Sequence, residues 1–286
     1  GVRQDDTEAV KWFRLAAQEG NAKAQTNLGV MHMEGKGGLK QDGVEAARWY
    51  ALAAAQKYPS AQYALGVMYE QGKGVALDDT KAVELYSLAA EQGHAFAQSN
   101  LGVMYEQGKG VAQDDKKAVE LYSLAAEQGH APAQFNLGLM HEQGKGVAQD
   151  TAKAAELWTL SAEQGGASAQ FNLGLMHAHG RGVAQDDATA VQLCTLAAEQ
   201  GHLPAQYNLG TMYFNGEGGL PEDDAQAAMW LKRAPDQGIE DAIHNLRIAL
   251  DEHLFPPGTT VRLVGLKTAS FNGKRGAVVK SKAAAI

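Results

Sequence analysis

A unit of 36 residues recurs along this chain, and that repetition constrains the fold more than any other feature. Leu-Gly pairs stand at 28–29, 65–66, 101–102, 137–138, 173–174 and 209–210. The first step is 37 residues and the others are 36. The string "VELYSLAAEQGH" occurs unchanged at 83–94 and 119–130. A period of this length belongs to stacked supersecondary units, each too small to bury its own apolar face.

Each unit reads as two helices. In 95–108, "AFAQSNLGVMYEQG", Ala97, Leu101, Met104 and Tyr105 recur at helical spacing. Gly102 removes a side chain where a neighbouring helix can approach, and Gly108 follows the last turn as a left-handed stop. The second helix, within 114–129, carries Ala118, Leu121, Tyr122 and Ala125 on its apolar stripe and ends at Gly129.

The string "GKGVAQDDKKAVELYSLAAEQGHAPAQFNLGLMHEQGKG" resembles the Sel1-like repeat, a relative of the tetratricopeptide repeat. The resemblance implies an all-α chain: a right-handed α-solenoid of antiparallel helix pairs over 1–254, with seven first and seven second helices. It also implies a role as an adaptor or scaffold between proteins. Residues 1–20 match only the second half of a unit, so the expectation is a piece of a longer array whose N-terminus is missing. The last unit departs from the pattern, with Arg247 at the glycine of Leu-Gly and Pro235 in the Ala-Ala stretch.

The loop "EQGKGVAQDD" (106–115) has glycines around a lysine, but it is not a phosphate loop. That motif needs Gly-Lys-Ser/Thr between a strand and a helix, whereas Gly110 follows Lys109 and a helix precedes. The acids do not alternate as in a calcium loop. The loop also recurs in several units, which suits punctuation better than an active site. Asp114 is the expected N-cap of the next helix, with Asp115 beside its positive end.

Nine histidines and one cysteine supply the remaining chemistry. His32, His141 and His177 replace Tyr69, Tyr105 and Tyr213 of other units, while His94, His130 and His202 follow helix-ending glycines. Equivalent positions in adjacent units are too far apart to share one zinc ion, whose nitrogen ligands lie ~2 Å away. Cys194 replaces Tyr86, Tyr122 and Trp158 and is expected in the core. No catalytic triad or dinucleotide fingerprint can be assembled. The expectation is a chain that is not an enzyme and holds no cofactor or metal.

One ladder stands out on the first helices. Asn100, Asn136, Asn172 and Asn208 precede the Leu-Gly pairs, and Tyr63, Phe135, Phe171 and Tyr207 come one residue earlier in the unit. In tetratricopeptide relatives these positions line the concave groove, so the resemblance implies that this set meets a protein or peptide partner. An asparagine amide both donates and accepts, which suits an extended peptide backbone. The competing expectation is that the aromatics and amides serve packing between units. Apart from Arg247 of the divergent last unit, Lys23 is the only Lys or Arg on the first helices of complete units, so recognition of a free carboxylate is not expected.

Charge is unevenly distributed. Residues 257–286 hold six basic side chains and no acid, leaving 19 basic against 33 acidic residues elsewhere, a formal −14. Repeats this acidic repel phosphate, so nucleic acid is not expected to bind them. The segment 255–286, with "GTTVRLVGL" and "NGKRGAVVK", reads as a short β-like tail similar to the start of an SH3-like module. The tail keeps one alternative open, contact with nucleic acid. Another is a regulatory or targeting segment of a larger protein. No apolar run is long enough to span a membrane. A single cysteine permits no internal disulfide, and the expected location is the cytoplasm.

Overall fold

The computed structural model describes residues 5–233. Among them are thirteen α-helices and no strand. The second helices of successive units are α1 (Asp6–Gln18), α3 (Gly43–Ala55), α5 (Asp79–Glu91), α7 (Asp115–Glu127), α9 (Thr151–Glu163), α11 (Asp187–Glu199) and α13 (Asp224–Arg233). The first helices are α2 (Ala22–Glu34), α4 (Pro59–Gln71), α6 (Ala95–Gln107), α8 (Ala131–Gln143), α10 (Ala167–His179) and α12 (Leu203–Asn215). Each helix packs on the next in chain order, which builds a solenoid of helix pairs. The seventh first helix, Pro235, Arg247 and the β-like tail lie outside the described residues.

Local chemistry sets the helix ends. Asp114 Oδ1 accepts the Lys117 amide at 3.1 Å, as expected of an N-cap. Asp42, Asp78, Asp150 and Asp186 do the same in their units. Gly108 stops α6 in the left-handed region at φ 66°. Gly110, at φ 69°, also lies so close to the start of α5 that a β-carbon there would meet Asp79 backbone atoms. The loop is therefore a contact between units as well as a turn.

Among the described residues the core is a chain of six small clusters, each joining the second helix of one unit to the first helix of the next. Ala118, Tyr122, Ala125, Ala133, Leu137 and Met140 are all buried in one of them. The expected stripe of α6 holds, with Ala97, Leu101 and Met104 buried and Tyr105 half-buried. Short helices and many alanines give thin interfaces, so each helix depends on both neighbours for burial.

Candidate binding surface on the first helices

The first helices are fixed from beneath by buried glutamines. Gln25, Gln62, Gln98, Gln134 and Gln170 accept hydrogen bonds at 2.7–2.8 Å from Gln56, Gln92, Gln128, Gln164 and Gln200, which cap the second helices of the same units. Gln98 Nε2 also donates to the Ala90 carbonyl of the preceding unit at 3.2 Å, and Gln170 to Ala162 likewise. One amide thus ties three helices. Sequence reasoning passed over these residues, although glutamine recurs at this register in six successive units, from Gln25 to Gln206.

A second network involves the asparagine ladder. The Tyr86 hydroxyl donates to Glu70 at 2.6 Å, and Asn100 Nδ2 donates to that hydroxyl at 3.3 Å. Lys109 of the next loop reaches Glu70 at 3.7 Å and Asp79 at 3.2 Å. One unit on, Tyr122 donates to Glu106 at 2.8 Å, and Lys145 reaches Glu106 and Asp115. Asn136 takes the corresponding place beside the Tyr122 hydroxyl. Burial first, then the partner carboxylate, pushes both phenols well above their ordinary pKa, so each stays a proton donor.

The network ends where the second helices lose their tyrosine. Trp158 Nε1 donates to the Phe135 carbonyl at 3.1 Å instead. Cys194 is buried, its thiol directed at the Ala205 carbonyl and its pKa pushed by burial to about 11. Neither offers a hydroxyl to the asparagine fourteen residues later. Asn172 and Asn208 are half-buried and make no side-chain hydrogen bond among the described residues.

The aromatics of the ladder are half-buried too. Tyr63 stacks on His94 with ring centroids 5.0 Å apart, and Phe171 meets His202 at 5.0 Å. Phe135 stacks on Trp158 at 6.3 Å. His94 and His202 are N-caps whose Nδ1 atoms accept the Ala97 and Ala205 amides at 3.3 Å. Burial lowers the pKa of His94, His130 and His202. Among the described residues, no three His, Cys, Asp or Glu side chains converge as a metal site. No described helix is long and apolar enough to cross a membrane.

The Sel1 repeat family model matches residues 1–21, 22–58, 59–94, 95–130, 131–166, 167–202 and 203–239. The chain belongs to the Sel1 repeat family. Its Sel1 repeats superpose on c5321, a protective antigen of uropathogenic Escherichia coli strains with an SLR fold, at TM-score 0.77 and 38% identity. That alignment covers 87% of this chain and 53% of the other, so this chain spans about half the length of that protein. A Sel1 repeat protein from Oxalobacter formigenes aligns at TM-score 0.71 and 29% identity, covering 81% of this chain and 97% of the other. No curated protein sequence matches the chain. Sel1 repeats generally serve as protein-interaction scaffolds, which agrees with the broad expectation drawn from the motif.

Proposed function

We propose that this chain is a non-catalytic scaffold that holds a peptide or protein partner across its first helices. The contact set is Tyr63, Asn100, Phe135, Asn136, Phe171, Asn172, Tyr207 and Asn208, with its weight on Asn172 and Asn208. One observation carries this choice: the amides of Asn172 and Asn208 stand one unit apart with no side-chain partner among the described residues. Asn100 is already occupied by the Tyr86 hydroxyl. An amide half in water and without an internal partner can pair with a peptide group at little desolvation cost. Phe171 and Tyr207 flank the two amides and offer apolar area to the same segment.

The test is partner capture from lysate of the source organism, quantified by mass spectrometry. Wild type is compared with an Asn172→Ala/Asn208→Ala variant of equal helicity. Loss of specific partners with the double variant is expected. Capture of the same partners in equal amount would remove the first helices from the function.

A further inference from the structure

The second helices carry a stripe of leucines that the solenoid does not need. Leu15, Leu52, Leu88, Leu124, Leu160 and Leu196 hold one register in successive units and are 41–55% exposed. The same register in α13 holds the exposed Arg233, so a polar side chain fits there. The core beneath is already filled by alanine and aromatic neighbours such as Ala125 and Tyr122. A lone exposed leucine needs no explanation, but the same register exposed in six successive units is a repeated apolar feature.

Its middle section carries more acidic than basic side chains, and Lys81, Lys117 and Lys153 are each paired. Glutamates stand four residues before and three after the central leucines: Glu84 and Glu91, Glu120 and Glu127, Glu156 and Glu163, all exposed. These lie on the same helix face as the leucine between them. Only Glu156 forms an ion pair among the described residues, with Lys153 at 2.8 Å. The nearby Lys81 and Lys117 pair with the capping Asp78 and Asp114. Between α5 and α7 a shallow groove runs, lined by Glu91, Glu120 and Leu124 with Leu101 and Tyr105 of α6, and by Lys117, whose ammonium lies over the Tyr105 ring.

We propose that Leu88, Leu124 and Leu160 with their flanking glutamates form a second docking surface, for a basic amphipathic helix of a partner protein. Apolar anchors on the partner meet the leucines, and lysine or arginine beside them meets the carboxylates, of which all but Glu156 have no ion pair among the described residues. An amphipathic helix presents its apolar residues on one face, at every third, fourth and seventh position. Charge complementarity of this kind speeds encounter and selects against acidic partners. This surface does not depend on the first-helix amides.

The probe is a fluorescein-labelled helical peptide with leucine at every seventh residue and lysine on both flanks. Its twin has glutamate in place of lysine. Fluorescence anisotropy with the full chain is expected to show saturable binding of the basic peptide alone, weakened by added salt. A Leu88→Gln/Leu124→Gln/Leu160→Gln variant, checked for helicity, is expected to bind at least about tenfold more weakly, as loss of central anchors does. The Asn172→Ala/Asn208→Ala variant is expected to bind as wild type does. Equal binding of both peptides, or basic-peptide binding untouched by the triple variant, overturns the proposal. Binding that appears only when the six basic side chains of 257–286 are neutralised gives the surface to the chain's own tail and also overturns it.

Discussion

A β-carbon built on Gly102 would lie 2.6 Å from Cε1 of Tyr122. The glycine of the Leu-Gly pair is the space into which the aromatic ring of the partner helix fits. Gly29 stands in the same relation to Tyr50, Gly66 to Tyr86 and Gly138 to Trp158. At Gly174 the ring is replaced by Cys194, and the nearest atoms are 3.3 Å and 3.4 Å away.

The two kinds of glycine respond differently to a methyl group. Gly102→Ala must push a fully buried ring aside, at a cost of about 1–3 kcal/mol. At Gly174 a mild contact offsets the gain of about 0.5–1 kcal/mol from replacing a helix-interior glycine. Gly174→Ala is therefore expected to shift the urea midpoint little, while Gly102→Ala lowers it clearly. Equal loss in both variants would contradict the ring-and-space relation.

Truncating the buried Gln98 is expected to cost more than truncating its donor Gln128. Gln98→Ala removes the acceptor Gln98 offers to Gln128 and one of two donors to the buried Ala90 carbonyl, which keeps the Gly93 amide. Loss of such bonds costs about 1–3 kcal/mol. Gln128 is exposed, and water replaces part of what Gln128→Ala removes. Denaturant midpoints of the two single variants give the comparison, and a larger loss for Gln128→Ala would go against it.

Stability is expected to fall on mild acidification. Only a neutral imidazole accepts the Ala97 or Ala205 amide, and a helix N-terminus disfavours a positive cap. Burial depresses the folded pKa of His94, His130 and His202. As pH falls, the unfolded chain takes up these protons first, from about pH 6.5. The stabilisation is complete above that value and is lost as pH drops through the lower folded pKa. A His94→Asn/His202→Asn variant keeps a capping acceptor, as Asn21 does for α2, without the titration. Melting temperatures measured across this window should fall less for the variant than for wild type.

The ion pairs of the loop lysines contribute little by comparison. Lys145 sits within reach of Glu106 and Asp115 but is about one-third exposed. Lys145→Gln is expected to cost less than about 1 kcal/mol, and less still at high salt. A salt-independent loss of several kcal/mol would place the lysine in a structural role that the ion pairs do not explain.

The helices, the aspartate caps and the glycine stops were legible in the sequence because each rests on a few consecutive residues. Asp114 and Gly108 need only their own turn to act. The glutamine ties were not legible, because Gln128 and Gln98 meet across 30 positions and periodicity alone does not show which polar residues are buried. The role of Lys109 was missed for the same reason, since Glu70 belongs to the preceding unit. The asparagine ladder looked uniform as letters. Its division into Asn100, bound to Tyr86, and Asn172, facing no hydroxyl, follows from a substitution on another helix, Trp158 for tyrosine.

The most direct measurement of scaffold binding is hydrogen–deuterium exchange on the full chain with and without a captured partner. Added protection in peptides covering 167–215, the stretch of α10 and α12, is the expected result. Protection confined to the second helices, or none at all, would contradict a binding surface centred on Asn172 and Asn208.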